Sequence, residues 1–247
     1  MADPNPLIPD VPSIKYDDIE PRLATGDILI FHGSSGISLE IEQKTSSYFS
    51  HTAMVIRPDS AKPPFIWQTG PGPIAKDTFT HSVHGGAQIS LLRETLIYMS
   101  NPAYGDSSYV RQLQFSRCPE FEIVAQWAIA GLDGTPFGTY QEMVKNFEVG
   151  QKSETAPDRT FFCSELAAHT YMLMGLLPFD PPANSYAPGH FSPEIGNLPL
   201  LRGASLGPLL QLIPPPQPTA APLPPTAPSS ATASTPSPGS SPAAAGS

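Results

Sequence analysis

No aspartate, glutamate, lysine or arginine follows Arg202 in this chain of 247 residues. From about Ile213 onward the sequence is almost entirely Pro, Ala, Ser, Thr and Gly, and many of its 32 prolines lie there. A segment of that composition cannot bury enough apolar surface to offset its ordering entropy, so it is expected to be a disordered tail. This expectation confines the folded core to roughly the first 200 residues, within the usual size range of one domain.

The net charge of −9 lacks the basic patch of a nucleic-acid binder, so no nucleic-acid partner is expected. No apolar run approaches the length of about 18 residues that a transmembrane helix needs. The opening Met1-Ala2-Asp3-Pro4-Asn5-Pro6 is acidic and proline-rich, with no basic n-region. Two cysteines in unrelated contexts do not make a disulfide framework. The expected setting is therefore reducing and cytoplasmic. Cys118 precedes a proline in a plain segment and is expected to be structural.

Thr25-Gly26-Asp27 is a turn signal, and Ile28 to Phe31 is an apolar run of strand length. Ile37 to Lys44 reads as a short helix offering Ile37, Leu39 and Ile41 to the core. Ser50 to Arg57 alternates, with His51, Ala53 and Val55 on one face and Thr52, Met54 and Ile56 on the other. Phe65 to Gln68 returns as a second strand after a proline-rich turn. Gln88 to Leu92 and Tyr109 to Phe115 read as further strands. Leu92 to Met99, Pro119 to Leu132 and Tyr140 to Phe147 read as helices. Short strands segregated from several helices predict an α+β domain, a small antiparallel sheet packed against helices. The expected divisions are a proline-rich lead over 1–21, the domain over 22–200 and the tail over 201–247.

Phe161-Phe162-Cys163-Ser164-Glu165-Leu166 opens one more helix. Leu166, Ala167, Thr170, Leu173 and Met174 recur at three- and four-residue steps, and Gly175 then stops it. Cys163 falls in the first turn, where unpaired N–H groups and the helix dipole favour a thiolate. A lone cysteine beside an apolar face is also the ordinary state of a small buried hydrophobe. Nucleophilic chemistry needs a base, and histidine titrates in the useful range. His169 lies six residues from Cys163, which rotates it to another face of the helix. His81, His84 and His190 sit in loops, and His32 precedes a turn.

Taken together, Gly26-Asp27-Ile28-Leu29-Ile30-Phe31, Ser50-His51 opening a strand, and Phe162-Cys163-Ser164-Glu165-Leu166 opening a helix resemble the permuted NlpC/P60 proteins of YiiX-like type. These are papain-like cysteine hydrolases in which the histidine precedes the cysteine. Gly134-Thr135-Pro136-Phe137-Gly138 and Ser192-Pro193-Glu194 echo smaller family segments, and the resemblance spans roughly residues 22–197. It implies a circularly permuted papain-like fold, with Cys163 as nucleophile and His51 as base. It implies a hydrolase or acyltransferase that cleaves an amide or ester through a thioester, with no cofactor and no metal. Family members usually place a third polar group, often Glu, on the strand after the histidine strand, and the matching position here is Gln68. A glutamine can orient the ring through its amide oxygen, as asparagine does in Cys-His-Asn enzymes. If Gln68 pairs opposite Ala53, it lies diagonal to His51 on the same face; a one-residue slip presents Trp67 instead. Glu165 is two residues along the helix from Cys163 and is expected to brace the helix start. The resemblance implies a small peptide or acyl-lipid-like substrate. The rival readings are a papain-like module that binds without turnover, and Cys163 with His51 as metal ligands.

Overall fold

The computed structural model describes residues 11–34, 36–72, 75–100, 107–156 and 160–216. The elements in chain order are β1 (Ser13–Lys15), α1 (Tyr16–Ile19), β2 (Ile28–His32), α2 (Gly36–Thr45), β3 (His51–Ile56), β4 (Phe65–Gly70) and β5 (Gly86–Leu91). They continue with α3 (Leu92–Met99), β6 (Ser107–Arg111), β7 (Leu113–Gln114), α4 (Pro119–Leu132), α5 (Tyr140–Gly150), α6 (Cys163–Leu173), β8 (Ser205–Leu206) and β9 (Leu210–Ile213). The fold is mixed α+β. A seven-stranded sheet runs in the order β1-β9-β6-β2-β3-β4-β5, and β7 with β8 forms a separate ribbon.

The sheet is covered on both faces, which explains why its inner strands are apolar runs rather than strict alternations. Ile28 and Ile30 of β2, Met54 and Ile56 of β3 and Trp67 of β4 pack with Leu166 and Tyr171 of α6 and Phe121 and Ile129 of α4. Leu29, Phe31, Ala53, Val55 and Ile66 occupy the opposite face with Tyr16, Ile19, Leu92 and Leu96. Trp67 pins the two layers together, since its indole N–H donates to Thr170 Oγ1 of α6 at 3.0 Å. The Gly26-Asp27 turn is held just as firmly. Asp27 accepts from the backbone N–H of Ala24 and Leu113 and from Arg117, at 2.9 to 3.0 Å, and is almost fully buried.

Four expectations change. The sheet is larger than expected and is not wholly antiparallel, because β1 runs parallel to β9. The boundary at 201 cuts through structure: β9 inserts between β1 and β6, and Leu212 is 2 % exposed. Leu210-Gln211-Leu212-Ile213 is a strand by pattern, masked in the sequence by its uncharged, proline-flanked context. Residues 217–247 of the expected tail lie outside the described residues. The lead is likewise partly structured, because Tyr16 and Ile19 are buried against the sheet. Finally, α2 does not turn its apolar residues into the core. Ile37 and Leu39 are 54 % and 49 % exposed, and the buried residue of this helix is Glu42.

Candidate active site

The site lies where the start of α6 meets the first residue of β3. The segment leading into β3 is braced from the far end of the chain. Glu194 accepts from Ser47 Oγ at 2.8 Å and from the Tyr48 N–H at 3.3 Å. The Ser50 N–H then donates to the Phe31 carbonyl at 2.9 Å, which fixes the register at which His51 emerges.

Met54 pairs with Trp67 and Val55 with Ile66, so Gln68 falls opposite Ala53 and Trp67 is on the other face. Gln68 then reaches along the sheet, and its Oε1 lies 2.9 Å from His51 Nε2. An amide oxygen can only accept, so His51 Nε2 carries the proton and Nδ1 is the nitrogen available to the thiol. Gln68 is 1 % exposed, which restricts it to this geometry.

Cys163 is the first residue of α6 and is 7 % exposed. Burial works against its thiolate. The adjacent His51 imidazole and the N–H groups of Thr52 and Ser164 more than offset this, so the thiol is held below its ordinary value. The sulfur also lies 3.8 Å from the Ser50 carbonyl oxygen, the acceptor for the neutral thiol. These backbone groups are invisible to residue-type reasoning; only the placement of Cys163 in a first turn hinted at them.

Glu165 occupies the third position of α6, and its Oε2 accepts from the Phe162 N–H at 3.3 Å. Burial pushes its carboxyl up to about 8, with that one N–H in partial opposition. Four of the remaining histidines have other partners. His32 bonds Glu42 at 2.8 Å and stacks on Tyr48. His84 contacts the Gly85 carbonyl, His190 accepts from the Ala187 N–H, and His169 packs on Phe161. His81 is exposed. Both cysteines are free thiols, Cys118 exposed and Cys163 buried. Among the described residues no three His, Cys, Asp or Glu side chains converge as a metal set.

A cavity of about 340 Å³ opens beside Cys163 and His51. α2 and α5 form its walls, and the Thr135 to Thr139 turn contributes Phe137. That turn is docked on β5: the Ala87 N–H donates to the Thr135 carbonyl at 2.8 Å, and the Gly134 N–H donates to the Ala87 carbonyl at 2.8 Å. Gly86 must be glycine here. Its φ is +93°, and a Cβ would stand 2.5 Å from the Thr135 oxygen.

Among the described residues no helix is long and apolar enough to cross a membrane. No family model and no curated protein matches the chain. Among solved structures, the chain is similar to the metalloprotein YiiX from Escherichia coli O157:H7, at 20 % identity and a TM-score of 0.41. The likeness covers 61 % of this chain and 65 % of that one, so it spans just under two thirds of the length of YiiX.

Proposed function

We propose that this chain is a cysteine-dependent hydrolase or acyltransferase of circularly permuted papain-like type, with Cys163 as nucleophile, His51 as base and Gln68 as its positioning residue. The observation that carries the reading is the single line from Cys163 through His51 to Gln68, whose Oε1 accepts from His51 Nε2. Orientation of the ring by an amide oxygen is sufficient chemistry, since it fixes the tautomer and leaves Nδ1 toward sulfur. The proposal includes a reducing, cytoplasmic setting, in which the thiol remains available.

In the reaction, the Cys163 proton passes to His51 and the sulfur attacks the substrate carbonyl carbon. A C–S bond forms, and the bond to the alcohol or amine breaks as that group takes the proton from His51. The first-turn N–H groups of α6 have no helical acceptor and are the natural donors to the oxyanion. Water, or an acceptor alcohol or amine, then attacks the thioester. His51 takes its proton and returns it to sulfur.

The test is acylation. The purified protein is incubated with activated esters, and the adduct is located by mass spectrometry. Covalent acyl transfer to Cys163, lost in His51→Ala, is expected. Rapid alkylation of Cys163 with no acyl-enzyme from any ester would favour the binding-module reading.

A further inference from the structure

A glutamine amide has nearly the same shape whichever of its ends is turned inward, so packing alone does not decide which end of Gln68 faces His51. The choice matters chemically. With Oε1 toward the ring, His51 Nε2 carries the proton and Nδ1 is bare for the thiol. With the amide nitrogen toward the ring, the ring nitrogen must accept, the proton moves to Nδ1, and Cys163 loses its base. In a Ser-His-Asp enzyme, a substitution that imposes the wrong tautomer costs about 10⁴ in turnover. Some neighbour must therefore hold the amide one way round.

That neighbour stands on the next strand. Gln68 of β4 pairs directly with Gln88 of β5, so the two side chains share one face of the sheet. Both are buried. The Gln88 amide is itself locked, because its Nε2 donates to the His84 carbonyl at 3.1 Å and to the Gly86 carbonyl at 3.4 Å. Its Oε1 is buried without a hydrogen-bond partner among the described residues. Gln68 Nε2, the end turned away from His51, has none among them either. A buried donor and a buried acceptor thus lack partners on two directly opposed side chains, and a bond between them removes both penalties. Opposed side chains have Cβ atoms about 4.5–5.5 Å apart, and the terminal amide torsion is a broad well, so the two ends can meet without moving either strand.

We infer that Gln88 is a second positioning residue, whose Oε1 accepts from Gln68 Nε2 and so fixes the sense of the Gln68 amide and, through it, the tautomer of His51. Turning Gln68 over would set its Oε1 against Gln88 Oε1, two acceptors with no proton between them. The line from Cys163 through His51 and Gln68 then runs one strand further, to the turn that carries the His84 and Gly86 carbonyls.

The inference rests on the proposed role of His51, but its test reads the imidazole itself. In Cys163→Ala protein with nitrogen-15 histidine, no thiolate holds the ring as imidazolium, and long-range proton–nitrogen spectra at about pH 8 show which ring nitrogen bears the proton. The His51 signals are those lost in His51→Ala. The Nε2–H tautomer should dominate; a ring protonated at Nδ1 overturns the inference with no change made to Gln88. Gln88→Met should lower the ratio of Nε2–H to Nδ1–H by about 2- to 12-fold, the worth of one neutral hydrogen bond. Gln88→Glu should restore it, since a buried carboxyl kept neutral still offers a carbonyl oxygen to Gln68 and a hydroxyl to the turn. With Cys163 present, alkylation by iodoacetamide near pH 6 should slow in Gln88→Met and recover in Gln88→Glu. Gln68→Leu combined with Gln88→Met should be no slower than Gln68→Leu alone, because the two residues act in series. Folding of each variant is verified by circular dichroism. An unchanged tautomer ratio in Gln88→Met, no recovery in Gln88→Glu, or additive losses in the double variant overturns the inference. Tautomer control by Gln88 without an acyl-enzyme in the parent upholds the positioning role and sinks the catalytic reading. An acyl-enzyme with a tautomer indifferent to Gln88 does the reverse.

Discussion

Glu165→Gln is the substitution whose effect can be worked out furthest. The Glu165 carboxyl is 6 % exposed, and burial raises its pKa from 4.5 to about 8. In the unfolded chain it ionises from about 4.5 upward, whereas in the folded protein it stays protonated until about 8. Between those values the unfolded state binds fewer protons than the folded one, so stability falls as pH rises and levels off above the higher value. At about 1.4 kcal/mol per pH unit, the full penalty is about 3–5 kcal/mol, a large share of a typical domain's stability. Glutamine does not titrate, and its side-chain oxygen can still accept from the Phe162 N–H, as at the third position of a capping box. Urea unfolding at about pH 5 and about pH 9 measures the difference by linear extrapolation. The variant should be within about 1 kcal/mol of the parent at the lower pH and more stable by about 3–5 kcal/mol at the higher. A parent–variant difference that does not change with pH would falsify the assignment of this carboxyl as buried and neutral.

Native Cys163 should react with iodoacetamide faster than Cys118 near pH 6, and His51→Ala should abolish that advantage, because the imidazole favours the thiolate. Gln68→Glu keeps the acceptor and adds a charge that favours imidazolium, so the alkylation pKa of Cys163 should drop further. Gln68→Leu removes the acceptor and should lower acyl turnover by about 10- to 1000-fold, less than loss of a triad carboxylate costs; parental pKa and turnover in both variants would reduce Gln68 to a strand residue. Leu212→Ala should destabilise the domain by about 2–5 kcal/mol in urea unfolding, as expected for a side chain buried in the sheet layer. A change under about 0.5 kcal/mol would instead mark β9 as peripheral.

What could be read from the sequence was whatever announces itself by local pattern. The alternation of Ser50 to Arg57 gave β3, the return of Phe65 to Gln68 gave β4, and the three- and four-residue spacing after Cys163 gave α6. The distance between His51 and Gln68 follows from a hairpin register, which the sequence narrows to two choices that differ by one residue. Features that depend on partners far along the chain could not be read. Glu42 is a buried residue of α2 because His32 waits for its carboxylate, and Ile37 is exposed because the cavity lies on its side. β9 was hidden because Leu210 to Ile213 becomes a strand through β1 and β6, which are far away along the chain. The Thr52 and Ser164 N–H groups that steady the thiolate belong to the backbone, and their residue types carry no trace of that role.

The position of β9 also sets the order of events during synthesis. Among the described residues β1 has β9 as its only sheet neighbour, and β6 has β9 on the side away from β2. Until Ile213 has left the ribosome, β6 and β1 both lack the partner that β9 supplies them. An unpaired strand edge is a template for pairing with another chain, and closing a loop of this length is entropically costly. The central strands, β2 to β5, are contiguous and can assemble early. Completion of the sheet waits for β9, so a ribosome stalled anywhere before Leu210 would present the partly built sheet to chaperones with its β6 edge unsealed.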